Sequence, residues 1–197
     1  MADDRSHLDD RILVFDFGTS YFKAGIVDRQ GRIVALHRQP SPIGVTESGG
    51  VEIQIPAFRD AVHRACRDLS PHLPAVRAVT YSTQANTFTL LDAADKPLLP
   101  LIVWSDTRAA ELDELVADFG KSPGYVDATG IPALNHQLTL AKLKHLLAAD
   151  RSLEQSARRV SWLPDFFTHW LTGEHATEGS IAALSGLFDV RQWRWSE

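Results

Sequence analysis

The sequence predicts an α/β domain built on a mixed sheet with helices on its faces. Two patterns carry this. Three short apolar runs joined by tight turns open the chain, and helical-period stripes then alternate with further strand-like runs. Bulk composition agrees: 197 residues, 44% hydrophobic and 23% charged, supply a core and a polar surface. Disordered and collagen-like classes are excluded.

Residues 12–16, ILVFD, form an apolar run ended by an acid and followed by Gly18, and predict a buried strand. Residues 22–28 predict a second strand, Gln30-Gly31 a turn, and residues 32–37 a third strand, giving an antiparallel meander. Residues 1–11, acidic and polar, are expected to be flexible. Residues 39–50, QPSPIGVTESGG, predict a long exposed connection. Phe58, Ala61, Val62, Ala65, Cys66 and Leu69 recur at helical spacing after Pro56. Strands are predicted at 75–82, 87–91 and 101–104, and a helix from Ser105 to Gly120. A helix over 138–149, a strand over 159–163 and a helix from Pro164 to Gly173 follow. The last 24 residues carry no clear period.

The net charge of −5, from 20 basic and 25 acidic residues, argues against a nucleic-acid partner. The longest apolar run, 98–104, is interrupted by Pro100 and far short of the about 20 residues that span a bilayer. The N-terminus lacks the basic and apolar regions of a secretory signal. Cys66, the single cysteine, cannot pair within the chain and lies on a predicted core stripe. An inert buried thiol and a cytoplasmic location are expected.

The segment Asp16-Phe17-Gly18-Thr19-Ser20, with Lys23 beyond it, lies between two predicted strands. A glycine-containing turn lets backbone N–H groups approach phosphate oxygens. The hydroxyls of Thr19 and Ser20 add donors, and Lys23 adds a countercharge. Asp16 can hold Mg²⁺ through water. On these residues alone an ordinary hairpin accounts for the pattern equally well, since Asp, Gly, Thr and Ser are common turn residues.

DFGTSYFK and the following DRQGRIV (28–34) resemble the opening of the FGGY carbohydrate kinases, which include xylulose, gluconate, ribulose, rhamnulose and glycerol kinases. YSTQANTFTLLD (81–92), PLIVWSDTRA (100–109), TGIPALNHQLTLAKLKHL (129–146) and LPDFFTHWLTGEHATEGSIAALSGLFDV (163–190) resemble later segments in the family's order. The last is similar to the pattern D-x-x-x-x-x-L-TG-E-x-x-T-[DE]-x-S-x-A. Each motif is weak alone, but their joint order is specific.

The resemblance implies an RNase H-like (actin-like ATPase) domain over 12–197, of a kinase that transfers the γ-phosphoryl group of ATP to a carbohydrate hydroxyl. By position, Asp16, Gly18, Thr19, Ser20 and Lys23 inherit the phosphate-binding role, with Asp16 as the Mg²⁺ anchor. Gln84, Asn86, Trp104, Asp106 and Arg108 inherit the sugar site, with Asn135 and His136 nearby. Bland alternatives stay open: Trp104 as core, Asp106 in the first turn of a helix, Arg108 and His136 on the surface. Xylulose kinases read Q-M-H where this chain reads Gln84-Ala85-Asn86, and glycerol kinases carry an R-E pair, so neither acceptor is assigned.

The resemblance places the family's catalytic aspartate beyond Glu197, together with a second domain that carries the adenosine site. The isolated chain is therefore expected to lack a catalytic residue and to be inactive. A non-catalytic sugar- or phosphate-binding module is the rival reading. A chaperone-like branch of the actin-like ATPases is opposed by the Trp-x-Asp-x-Arg segment. The surface that meets a second domain is expected to be apolar and to promote self-association, with Leu184, Leu187, Phe188, Trp193 and Trp195 as candidates.

Overall fold

The computed structural model describes residues 10–196, so most of the segment expected to be flexible, residues 1–9, lies outside the described residues. In chain order the elements are β1 (Arg11–Phe17), β2 (Tyr21–Val27), β3 (Ile33–Pro40), β4 (Ile43–Val45), β5 (Val51–Ile53) and α1 (Ile55–Asp68). A 3-10 turn, Ser70–Ala75, leads to β6 (Val76–Thr83), β7 (Phe88–Leu91) and β8 (Leu101–Ile102). Then come α2 (Glu114–Gly120), α3 (Tyr125–Thr129), α4 (Thr139–Ala149), α5 (Arg151–Ser156), β9 (Arg159–Trp162) and α6 (Leu163–Thr172). The final elements are α7 (Gly179–Ala183), β10 (Phe188–Asp189) and β11 (Arg194–Trp195). Two compact units result: residues 10–42 with Gln54–Gln84, and Ile43–Ile53 with residues 85–196.

The first unit holds a four-stranded sheet in the order β3-β2-β1-β6. β1, β2 and β3 form the antiparallel meander, and β6 joins β1 in parallel, so the sheet is mixed as predicted. Alternation in β1 and β2 puts Leu13, Phe15, Phe17, Phe22, Ala24 and Ile26 in the core. Helix α1 opens with a proline in its first turn and buries Phe58, Ala61, Val62 and Ala65. Phe17, Phe22 and Phe58 meet with ring centroids 5.0–5.9 Å apart, which fixes the end of β1 where the Gly18–Ser20 turn begins. Cys66 is half-buried rather than fully buried, and burial pushes its thiol pKa up.

The second unit holds a five-stranded sheet, β4-β5-β8-β7-β9, and most of the helices. Its main core joins Phe88, Leu90, Ile102, Leu146, Leu153 and Trp162. Helix α6 has Pro164 in its first turn and ends on Gly173 at φ 78°, a left-handed cap. Among the described residues, no helix is long and apolar enough to cross a membrane.

The structure corrects several expectations. Residues 39–50 are not one loose connection: β3 runs through Pro40, and β4 pairs with β5 as a short hairpin around the turn that follows. The helix expected from Ser105 begins only at Glu114, with Asp113 as its N-cap accepting from the Leu115 amide. The intervening residues are irregular, with the Asp106 carboxylate bound by the Val51 amide and the Arg108 guanidinium. β1 starts at Arg11, inside the segment expected to be flexible. Of the five apolar tail residues, Leu184, Trp193 and Trp195 are exposed, while Leu187 is half-buried and Phe188 is buried against both indoles.

Candidate functional site

In the first unit, Gly18, Thr19 and Ser20 form the turn between β1 and β2. The hydroxyl-bearing residues Thr19 and Ser20 are exposed, so the turn is open to solvent. A Cβ on Gly18 would stand 3.0 Å from the Tyr21 carbonyl oxygen, so the tight reversal depends on glycine there. Asp16 and Lys23 are opposite one another in the β1–β2 register. Lys23 Nζ donates to Asp16 Oδ2 at 2.7 Å, with both side chains nearly half exposed. The five predicted phosphate-site residues are therefore gathered at one end of one hairpin. Their donors suit phosphate oxygens, and the exposed Asp16 carboxylate suits a hydrated Mg²⁺.

Gln84 belongs to the same unit. Its amide donates to the Phe17 carbonyl at 3.0 Å, and its side-chain oxygen accepts from Thr19 Oγ1 at 3.4 Å. A predicted sugar-site residue is thus tied to the predicted phosphate turn. The Gln84 Nε2 donor is buried and has no hydrogen-bond partner.

In the second unit, Asp106 and Arg108 form one cluster. Asp106 Oδ2 accepts from the Val51 amide at 2.8 Å and from Arg108 Nη2 at 2.8 Å, and Oδ1 accepts from the Arg108 amide at 3.0 Å. Arg108 Nη2 also meets Glu52 at 2.8 Å. Burial would raise the Asp106 carboxyl, but hydrogen bonds from Arg108 and the Val51 amide outweigh it and hold it below the usual range. Asp106 is not in a helix, and Arg108 is not a solvated surface residue. A Cβ on Gly50 would come 2.7 Å from Arg108 Cζ, so the guanidinium lies directly against that backbone.

Asn86 and Trp104 are organised by Lys142, which the sequence reading passed over. Lys142 is 2% exposed, and its Nζ donates to the carbonyls of Asn86, Val103, Trp104 and Gln137 at 3.0–3.3 Å. Burial lowers its pKa to about 8. One ammonium thus braces the loops that carry Asn86 and Trp104 and the approach to α4. Asn86 sits at φ 54°, and its Oδ1 accepts from Thr139 Oγ1 at 3.3 Å, which in turn accepts from Trp162 Nε1 at 2.9 Å. The Trp104 ring is half-buried, while Asn135 is exposed. The missed signal was present: Lys142 falls between Leu138 and Leu146 at four-residue spacing, a lysine on a buried helical stripe.

A cavity of about 450 Å³ lies in the same unit, lined by Thr139, Ser161, Trp162, Asp165, Thr177 and Trp195 among others. Asp165, 8% exposed, accepts from Thr177 Oγ1 at 2.7 Å, and burial raises its pKa to about 6.

A profile of the FGGY family of carbohydrate kinases, N-terminal domain, matches residues 11–197. The chain belongs to that family. This FGGY N-terminal domain is 32% identical over 187 residues to an L-fuculokinase from Salmonella typhi, covering 93% of the chain and 39% of the relative. It is 28% identical over 195 residues to a glycerol kinase from Thermococcus gammatolerans, covering 94% and 39%. Its fold matches a ligand-bound xylulose kinase from Lactobacillus acidophilus with a TM-score of 0.83 at 23% identity, covering 95% of this chain and 38% of that one. The architecture is the RNase H-like, actin-like ATPase fold. The FGGY domain described here spans about two-fifths of the length of these relatives.

Proposed function

We propose that this chain supplies the phosphate-binding and sugar-binding parts of an ATP-dependent carbohydrate kinase. The observation that carries the reading is the open Gly18–Ser20 turn with the Asp16–Lys23 pair at its base, in a chain of the FGGY family. ATP bound with Mg²⁺ would supply a transferable phosphoryl group. The backbone of the turn, the Thr19 and Ser20 hydroxyls and Lys23 would hold phosphate oxygens, and Asp16 would orient the hydrated metal. Asn86, Trp104 and Arg108, braced by Lys142 and Glu52, and Gln84 would bind the acceptor through hydrogen bonds and an aromatic face. The acceptor class is a ketose, deoxy sugar, polyol or sugar acid. A cytoplasmic location and self-association through exposed Leu184, Trp193 and Trp195 belong to the same proposal.

Residues 1–197 alone are proposed to bind ligand without turnover, because phosphoryl transfer needs a positioned base and a complete nucleotide site. Calorimetry with ATP and a panel of fuculose, xylulose, gluconate and glycerol tests the binding part. A coupled ADP-release assay tests turnover. Sugar binding without ADP release supports the reading, whereas steady sugar-dependent ADP release by residues 1–197 refutes the division of labour. Failure to bind any nucleotide or phosphate refutes the role of the turn.

A further inference from the structure

Asp95, His169 and His175 converge from three separate segments of the second unit. Asp95 comes from the turn between β7 and β8, His169 from the last turn of α6, and His175 from the connection that follows. One ring nitrogen of each histidine and a carboxylate oxygen of Asp95 lie within 4.8 Å of one another. His175 Nε2 is 3.1 Å from Asp95 Oδ1. The two imidazoles stack with centroids 4.0 Å apart and planes 8° from parallel. His169 Nδ1 is buried and has no hydrogen-bond partner, an arrangement that costs free energy unless something satisfies it. Both histidines fall on unspecified positions of the D-x-x-x-x-x-L-TG-E-x-x-T pattern, so the family likeness does not account for them.

We propose that Asp95, His169 and His175 form a site for a divalent transition-metal ion, with Zn²⁺ the best-suited cation. Two imidazoles and one carboxylate are a zinc-type donor set, and they leave a fourth tetrahedral position for water. Imidazole donors favour Zn²⁺, Ni²⁺ or Cu²⁺ over Mg²⁺ and Ca²⁺, which prefer oxygen ligands. Metal–ligand distances of about 2.0–2.2 Å require the donors to close together from their present spacing. His175, on the exposed connection, is the residue placed to move. It must leave the stack, because in-plane lone pairs of parallel rings cannot point at one ion. Arg159, whose Nε is 3.9 Å from Asp95 Oδ1, is the competing cation. The bound ion would clip the β7–β8 turn to the end of α6 and stiffen the connection between Gly173 and α7. None of these residues belongs to the phosphate or sugar sets, so the site stands independently of the kinase reading.

The test is calorimetric titration of the chain with Zn²⁺ in a large excess of Mg²⁺, which saturates oxygen-only sites, paired with thermal denaturation. One equivalent should bind with micromolar or tighter affinity and raise the melting temperature. His175→Ala and Asp95→Asn should each weaken binding by about ten-fold or more and cancel the thermal shift. Arg159→Gln should tighten it. His175 is exposed, so its variant probes binding without disturbing the core; Cu²⁺ electron paramagnetic resonance on the parent chain should show coupling to two imidazole nitrogens. Binding that persists unchanged in His175→Ala and Asp95→Asn, or no binding at all, overturns the proposal.

Discussion

Lys23 Nζ stands 2.7 Å from Asp16 Oδ2, and the two residues face one another across the hairpin that bears the phosphate turn. Side chains 43% and 44% exposed gain little from such a pair, about 0.2–1 kcal/mol. Lys23→Met and Asp16→Asn should therefore each move the melting temperature by only a few degrees. Nucleotide binding measured by calorimetry should fall about ten-fold or more in Lys23→Met. Wild-type affinity in that variant would remove Lys23 from the phosphate site.

Lys142 makes alkaline stability informative. Its pKa of about 8 in the fold lies below the roughly 10.4 of an unfolded lysine. Between those values the unfolded chain binds more protons, so this group makes stability rise with pH. Lys142→Met removes that dependence and takes the ammonium donor from the Asn86, Trp104 and Gln137 carbonyls, while Val103 keeps the Asp106 amide, at a cost of about 1–3 kcal/mol near neutrality. Urea denaturation of both proteins from pH 7 to pH 10 should show the gap widening above pH 8. A constant gap would contradict a desolvated ammonium.

Asp165 gives the opposite signature in acid. Its carboxyl, lifted by burial to about 6, lies above the roughly 3.9 of an unfolded aspartate. Between those values the folded chain binds more protons, so its stabilising contribution is complete below pH 4 and is lost as pH rises through 6. Asp165→Asn, which can still accept from Thr177, should gain on the wild type in thermal melts as pH goes from 4 to 7. Parallel melting curves across that range would place Asp165 in water.

Gly50→Ala tests the Asp106–Arg108–Glu52 cluster without touching a charge. The new Cβ would meet Arg108 Cζ at 2.7 Å and Thr46 Oγ1 at 2.8 Å, so the guanidinium must shift from its carboxylates. A loss of about 1–3 kcal/mol is expected from the disturbed buried network. Sugar binding should weaken more in Gly50→Ala than in Gly44→Ala, since a Cβ on Gly44 meets only the Glu52 carbonyl oxygen, at an ordinary contact distance of 3.9 Å.

The meander, α1 and α6 were legible because each has a strong local signal. Alternation marks β1 and β2, an apolar stripe behind Pro56 marks α1, and Pro164 with Gly173 brackets α6. The phosphate turn was legible as a compact string of turn residues. The hairpin of β4 and β5 was not, because two three-residue strands are too short to show a period. The helix start was misplaced because Ser105 and Asp113 are both good caps, and the choice is settled at long range. The Val51 amide and the Arg108 guanidinium claim Asp106, which keeps that stretch out of a helix. Lys142 could be placed on a buried stripe from the sequence, but its task could not: three of its four acceptors, on Asn86, Val103 and Trp104, come from segments distant in sequence, and only folding brings them to it.

A brace that grips only main-chain oxygens is indifferent to the side chains it carries. On the proposed acceptor site, positions 86 and 104 can thus be varied to redirect acceptor preference while Lys142 keeps hold of their carbonyls. Residue 86 has the narrower alphabet, since its positive φ favours Asn, Asp or Gly and its side chain also accepts from Thr139. Redesign would begin at those two positions and leave 142 alone.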